Sequence, residues 1–244
     1  MPEKLFDTPV LVLHVRQGYE NRAIHITKML GRGNIPFKFI LDGDKADITQ
    51  EILDKYFVGQ MHEDSAQTSC ALKHIYAYEY ILENNLDGAL ILEDDIILYH
   101  RFDKLFDKCM HERKQRNIED CLISFEDSSL KFVKGSMRRK GQYLYIGERD
   151  RFAGCYYISA SCARHILDYI KTNKCDYPID LFHTQLMSRI KLPYYWSHPT
   201  LATQGTSCGN FASSISKSSL CLRLYRKITW SAKRIYKVLL YKLR

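Results

Sequence analysis

Three consecutive carboxylates, Glu93-Asp94-Asp95, follow the apolar run Leu90-Ile91-Leu92 and are succeeded by Ile96. A buried strand that runs straight into acidic groups delivers them to its carboxyl end, where open α/β sheets hold their ligands. Carboxylates crowded there repel one another unless a cation neutralises them. Oxygen ligands suit Mn²⁺ or Mg²⁺, and both ions also bridge substrate phosphates. The spacing therefore points to a site for Mn²⁺ (or Mg²⁺) at Glu93 and Asp95, with Asp94 beside the bound donor. A cation held there would stabilise the charge that builds on a departing nucleoside diphosphate. A solvated acidic turn is the plain alternative, and a nucleotidyltransferase could use the same trio. That last reading wants further phosphate-gripping elements, and the chain has no G-x-x-x-x-G-K motif.

Other residues can grip phosphate or metal. Arg16 and Arg22 suit bidentate phosphate contact, against the alternative of plain surface charge. His74 stands one helical turn after Cys70, either to orient a loop near the donor or as a satisfied core histidine. His183 and His198 are further metal candidates, since imidazole tolerates Mn²⁺.

These side chains need a scaffold. Val10-Leu11-Val12-Leu13 reads as a buried parallel strand, Asn21–Leu30 as a helix stopped by Gly31 and Gly33, and Ile35–Ile40 as the next strand. Helices are expected at 48–56, 69–83, 102–113, 160–171 and 178–190. Strands are expected at 89–92, 121–125, 142–146 and 155–158. A strand–helix–strand opening announces an α/β fold, with a central, mostly parallel sheet flanked by helices. The 244 residues fit one large domain with a tail. The reading divides them into a catalytic domain over 1–203, a Gly/Ser-rich hinge over 204–219 and a basic amphipathic tail over 220–244.

Charge is distributed unevenly. None of the 28 acidic residues lies beyond Asp180, whereas eleven of the 36 basic residues do. Basicity thus belongs to the C-terminal end, which argues against a nucleic-acid-binding body and for a tail that meets an anionic surface. In the tail, Leu224, Ile228, Ser231, Ala232, Ile235, Leu239 and Leu243 share one helical face, and Arg223, Arg226, Lys227, Lys233, Arg234 and Lys237 lie largely off it. That is the pattern of a helix lying in a membrane interface, where each basic group near an anionic leaflet contributes about 1 kcal/mol. A surface helix docked on the body, or a disordered arm, is the alternative. No stretch approaches the ~20 apolar residues of a spanning helix. The eight cysteines form no C-x-x-C pair and no secretory signal precedes them, so they read as free thiols of a cytoplasmic protein held peripherally on the inner face of the membrane.

Four stretches, in order over roughly residues 8 to 200, resemble glycosyltransferase family 25, the bacterial lipooligosaccharide galactosyltransferases and the relatives that glycosylate collagen. They are Val10-Leu11-Val12-Leu13-His14-Val15 with Arg16 and Arg22; Ser69-Cys70-Ala71-Leu72-Lys73-His74; Ile91-Leu92-Glu93-Asp94-Asp95; and 151–159 followed by Pro178-Ile179-Asp180. His14, Ser69 and Lys73 stand where the family commonly has Asn, Gly and Ser. The resemblance implies a GT-A type fold, a nucleotide-sugar donor (UDP-galactose), a glycan or glycolipid acceptor, and inversion at the anomeric carbon. It also carries His14, Lys73 and His74 to the donor side. Inversion in one displacement needs a base for the acceptor hydroxyl. Asp180, after Pro178, is the first candidate, with a helix cap as its plain role. Glu126 and Asp127, at the end of another strand, are the rivals. A sugar- or lipid-binding module with a decayed site is the competing class, and the intact acidic trio speaks against it.

Overall fold

The computed structural model describes residues 6–212 and 220–244. In chain order the elements are β1 (Val10–Leu13), α1 (Glu20–Gly31), β2 (Lys38–Ile40), α2 (Gln50–Tyr56), α3 (Ala66–Glu83), β3 (Gly88–Glu93), β4 (Ile96–Leu98) and α4 (Phe102–Gln115). They continue with β5 (Leu122–Ser124), β6 (Leu144–Ile146), β7 (Cys155–Ser159), α5 (Ala160–Asn173), α6 (Ile179–Arg189), β8 (Tyr194–Ser197), β9 (Ala202–Gln204) and α7 (Leu220–Leu243).

Seven strands form one sheet in the order β2-β1-β3-β7-β5-β8-β6, and β4 pairs with β9 in a separate ribbon. β1 and β3 are apolar at nearly every position because helices cover both faces of the sheet. Leu11, Leu13, Ala89 and Ile91 pack on one side with Leu72, Ile75, Tyr78 and Ile81 of α3 and Ile166 and Ile170 of α5. Val10, Val12, Leu90 and Leu92 pack on the other with Ile26 and Leu30 of α1 and Phe102 and Phe106 of α4. Each such Val, Leu, Ile or Phe side chain, fully buried, contributes about 1.5–3 kcal/mol of transfer free energy.

The α/β class matches the expectation, but the strand directions correct it. β1 is parallel to β2 and β3, and β5 is parallel to β8, whereas β7 runs antiparallel to both of its neighbours and β6 antiparallel to β8. The sheet is mixed rather than mostly parallel.

The expected hinge over 204–219 is described only in its first part. Residues 213–219 lie outside the described ones, but 204–212 is packed: Gln204 closes β9, Cys208 is buried, and the Phe211 ring meets His25 at 5.0 Å. Gly and Ser here serve tight turns around Asp95 instead of slack. Helix α7 contacts the body. Arg234 Nε donates to Asp127 Oδ2 at 2.7 Å, the Tyr241 ring packs on Phe132 at 5.8 Å, and Ser136 Oγ donates to the Arg244 carbonyl at 2.7 Å.

Candidate active site

Each arm of the site grows from a strand or helix end. β3 ends at Glu93, so Asp94 and Asp95 occupy the turn before β4. Asp94 is held on both oxygens: His14 Nδ1, just past β1, donates to Oδ2 at 2.7 Å, and Arg22 Nη1 on α1 donates to Oδ1 at 3.1 Å. Arg22 also bonds the Ala212 carbonyl and lies 4.9 Å over the Tyr19 ring. Asp94 is therefore a spacer between two cationic-capable groups, not an open ligand.

Glu93 and Asp95 are different. Glu93 Oε2 accepts a bond from Gln204 Nε2 at 3.3 Å, and Oε1 faces Cys70 Sγ at 3.7 Å and His74 Nε2 at 3.6 Å. Asp95 Oδ2 accepts from the Thr206 backbone N–H at 2.9 Å, but its Oδ1 is buried with no hydrogen-bond partner. Burial, then the Asp94 charge, raises Glu93 to about 7. Burial, then the Glu93 charge, raises Asp95 to about 6. Two carboxylates that resist ionisation, a half-buried Glu93 facing the cavities and a buried Asp95 with an orphaned oxygen, form a donor set that fits a hard divalent cation.

Two cavities meet at this wall. One of about 310 Å³ is lined by His14, Tyr19, Arg22, Lys73, Glu93 and Asp94. The other, of about 250 Å³, is lined by Arg22, Glu93, Asp95, Asp180, Gln204 and Thr206. Cys70 contributes to both. Asp180 is the second residue of α6, whose cap position is Pro178 without a side-chain bond, so it is not the cap itself. Burial, then the Asp150 charge, raises its carboxyl to about 6.

Lys73 lines the larger cavity, but its ammonium pairs with Asp44 Oδ1 at 2.7 Å and donates to the Leu41 and Asp42 carbonyls. Arg16 lines neither cavity; it pairs with Asp44 at 3.0 Å and with Asp47. His74 is fully buried behind Cys70 and Glu93. Glu126 and Asp127, the rival bases, line neither cavity. Glu126 Oε1 accepts the Gly154 backbone N–H at 2.6 Å, and burial holds that carboxyl well above its usual range. Asp127 is spent on Tyr99, Thr200 and Arg234. His183 uses both ring nitrogens, on Asp150 and Tyr78, so it is not a free ligand, and His198 packs against Tyr145 and lines neither cavity. The sequence reading missed Gln204, Thr206 and Asp150. All eight cysteines are free thiols.

Residues 17–183 match the family described as Glycosyltransferase family 25 (LPS biosynthesis protein). A curated Haemophilus influenzae protein, whose name places it provisionally among glycosyltransferases, is 29% identical over 168 residues, 66% of this chain and 57% of that protein. The chain thus spans little more than half the length of that relative. Among solved structures, a protein from STIV overlaps 78% of this chain and 81% of its own at 14% identity and a TM-score of 0.41. The inositol-1-phosphate CTP transferase from T. maritima overlaps 90% and 96% at 10% identity and a TM-score of 0.38. Overlaps that loose carry no functional weight. The sequence match spans most of the chain, including the acidic trio and Asp180, and by it the protein belongs to glycosyltransferase family 25.

Proposed function

We propose that this chain transfers a glycosyl group, galactose from UDP-galactose, onto a lipooligosaccharide or other LPS-type glycan, with inversion and with Mn²⁺ (or Mg²⁺) as cofactor. The observation that carries the reading is the shared wall: Glu93 lines both cavities, so one side of it has room for a donor and the other holds Asp180 for an acceptor. Glu93 and Asp95 would hold the cation, which when bound would offset their mutual repulsion and the charge on the departing diphosphate.

The chain's own residues supply the rest. Arg22 reaches both cavities and keeps a guanidinium beside the donor phosphates, while its bond to Asp94 fixes its direction. His14 holds Asp94 from the other side. Asp180 takes the proton from the acceptor hydroxyl; a carboxyl raised to about 6 is ionised at neutral pH and still basic enough to act. Gln204 and Thr206 fix the Glu93 and Asp95 carboxylates. The outward apolar face of α7 supports peripheral attachment to an anionic membrane surface, where a lipid-linked acceptor would be met.

The test is product release from a panel of nucleotide sugars with Mn²⁺. Nucleoside diphosphate from one donor, abolished by chelator and by Asp95→Ala, supports the reading and names the sugar. Pyrophosphate released from a nucleoside triphosphate and a sugar phosphate replaces it with nucleotidyl transfer. No product and no donor-induced thermal shift leave a binding module.

A further inference from the structure

The inner wall of the site carries a second set of ligand atoms. Cys70 and His74 stand one turn apart on α3, so they share a helix face, and Glu93 meets them from the end of β3. Cys70 Sγ, His74 Nε2 and a Glu93 carboxylate oxygen all lie within 4.8 Å of one another. Among the described residues this is the one group of three His, Cys or acidic side chains so arranged. Sγ and Nε2 stand 3.7 and 3.6 Å from the same Glu93 Oε1. Zinc bonds of about 2.0–2.3 Å put tetrahedral ligand atoms roughly 3.3–3.8 Å apart.

An independent observation points the same way. His74 Nε2 is fully buried and has no hydrogen-bond partner. Its protonation follows from a buried chain that ends 76 residues away, at Asp150. A carboxylate only accepts, so His183 Nδ1–H donates to Asp150 Oδ2 at 2.7 Å. In the neutral ring Nε2 then accepts from Tyr78 OH at 2.8 Å. Tyr78 oxygen accepts from Tyr156 OH at 2.7 Å, and Tyr156 oxygen accepts from His74 Nδ1–H at 2.7 Å. That order leaves a bare lone pair on His74 Nε2, aimed at Glu93. Metal-binding histidines are oriented in the same way, by an N–H donated to an outer acceptor.

We propose that Cys70, His74 and Glu93 form a site for a borderline-soft divalent cation of the zinc class, with its fourth position open to the cavities that Cys70 and Glu93 line. Sulfur and imidazole select such ions over Mn²⁺ or Mg²⁺. On coordination the Cys70 thiol gives up its proton to solvent. Because Glu93 is shared, a cation seated here removes an oxygen ligand from the Mn²⁺ position, so zinc opposes Mn²⁺-dependent transfer. This consequence rests on the proposed function; the site itself rests on the donor geometry.

Cobalt is the probe. Co²⁺ added to the full chain carrying Cys221→Ser, which removes the exposed thiol of the tail, is expected to give a near-ultraviolet thiolate-to-cobalt band at one equivalent, displaced by Zn²⁺. Cys70→Ser, nearly the same size, is expected to lose the band and at least tenfold in affinity, with an unchanged melting temperature in the absence of metal. His74→Gln is a second variant with the same expected loss. No band in the folded chain, or a band that survives Cys70→Ser, overturns the site. The spectrum needs no donor: transfer without a band removes this site alone, and a band without diphosphate release removes the proposed function alone.

Discussion

Asp94 sits in the middle of the acidic trio, yet it is the member least able to bind a cation, because His14 and Arg22 already occupy both of its oxygens. Its neighbours keep the repulsion that a cation would relieve. Both carboxyls are raised, Glu93 to about 7 and Asp95 to about 6, so the folded chain binds their protons more tightly than the unfolded one. For a raised group the stabilising contribution is complete below the unfolded value and lost as pH rises through the folded one. The metal-free protein should therefore lose stability as pH climbs from about 4 to 7, and Mn²⁺ should restore it. The expected outcome is a larger Mn²⁺-induced rise in melting temperature at about pH 7.5 than at about pH 5.5, a difference that shrinks in Asp95→Asn. Equal shifts at both pH values would take these carboxylates out of the metal site. Asp180 answers to a different assay. Asp180→Asn should lower transfer by about 10²–10⁴ while the Mn²⁺ shift stays intact, since a base acts on the acceptor and not on the cation. A variant that loses the shift as well would make Asp180 part of the metal-holding wall. The division of labour within the trio was only partly legible in the sequence. The strand before it marks the location, but which carboxylate is spent depends on His14 and Arg22, 80 and 72 residues away.

Element by element, legibility followed burial on both faces. β1, β3, α3 and α5 announce themselves because a continuous apolar run, or a helical stripe, has one way to be buried. β4, β8 and β9 were not foreseen. β4 and β9 are three residues each, and their pairing with one another spans the chain from Ile96 to Gln204. β8 did leave a signal in Tyr194-Tyr195-Trp196, aromatic residues that favour strands. The Gly and Ser of the segment after β9 suggest slack because both are turn formers, but what orders it lies at the acidic trio. Gly205 N–H donates to the Asp95 carbonyl at 2.8 Å, and the Thr206 N–H bonds the Asp95 carboxylate. A Cβ on Gly205 would stand 2.7 Å from the Asp95 carbonyl oxygen and closer still to the Phe211 ring. Gly205→Ala should thus push the loop off Asp95, weakening Mn²⁺ affinity several-fold and costing about 1–3 kcal/mol of stability. Calorimetric titration of Mn²⁺ into the variant checks this; unchanged affinity would mean that the loop only covers Asp95 without positioning it.

At the scale of the whole molecule, α7 faces two ways. Arg234, Tyr241 and the Arg244 carbonyl hold it to the body, and Arg234 Nε meets the fully buried Asp127 carboxylate. Leu224, Ile228, Ile235, Leu239 and Leu243 point away, each between 54 and 87% exposed. An apolar stripe this long on a helix whose other side is already engaged marks a surface for contact rather than core packing. The sequence poses docking and membrane contact as alternatives; the docked contacts and the exposed stripe lie on different faces of one helix. No helix among the described residues is long and apolar enough to cross a membrane. Full-length protein should bind vesicles containing anionic lipid, more weakly as salt rises, and Ile228→Asp with Leu239→Asp should bind at least tenfold less with little change in melting temperature. Arg234→Ala should do the reverse. It leaves the stripe intact and vesicle binding near normal, but strands Asp127 without its cationic partner and lowers stability by about 1–3 kcal/mol. Sedimentation with vesicles and thermal melts of the three proteins separate the roles: if the double aspartate variant still sediments like the wild type, the outward face of α7 is not the membrane contact.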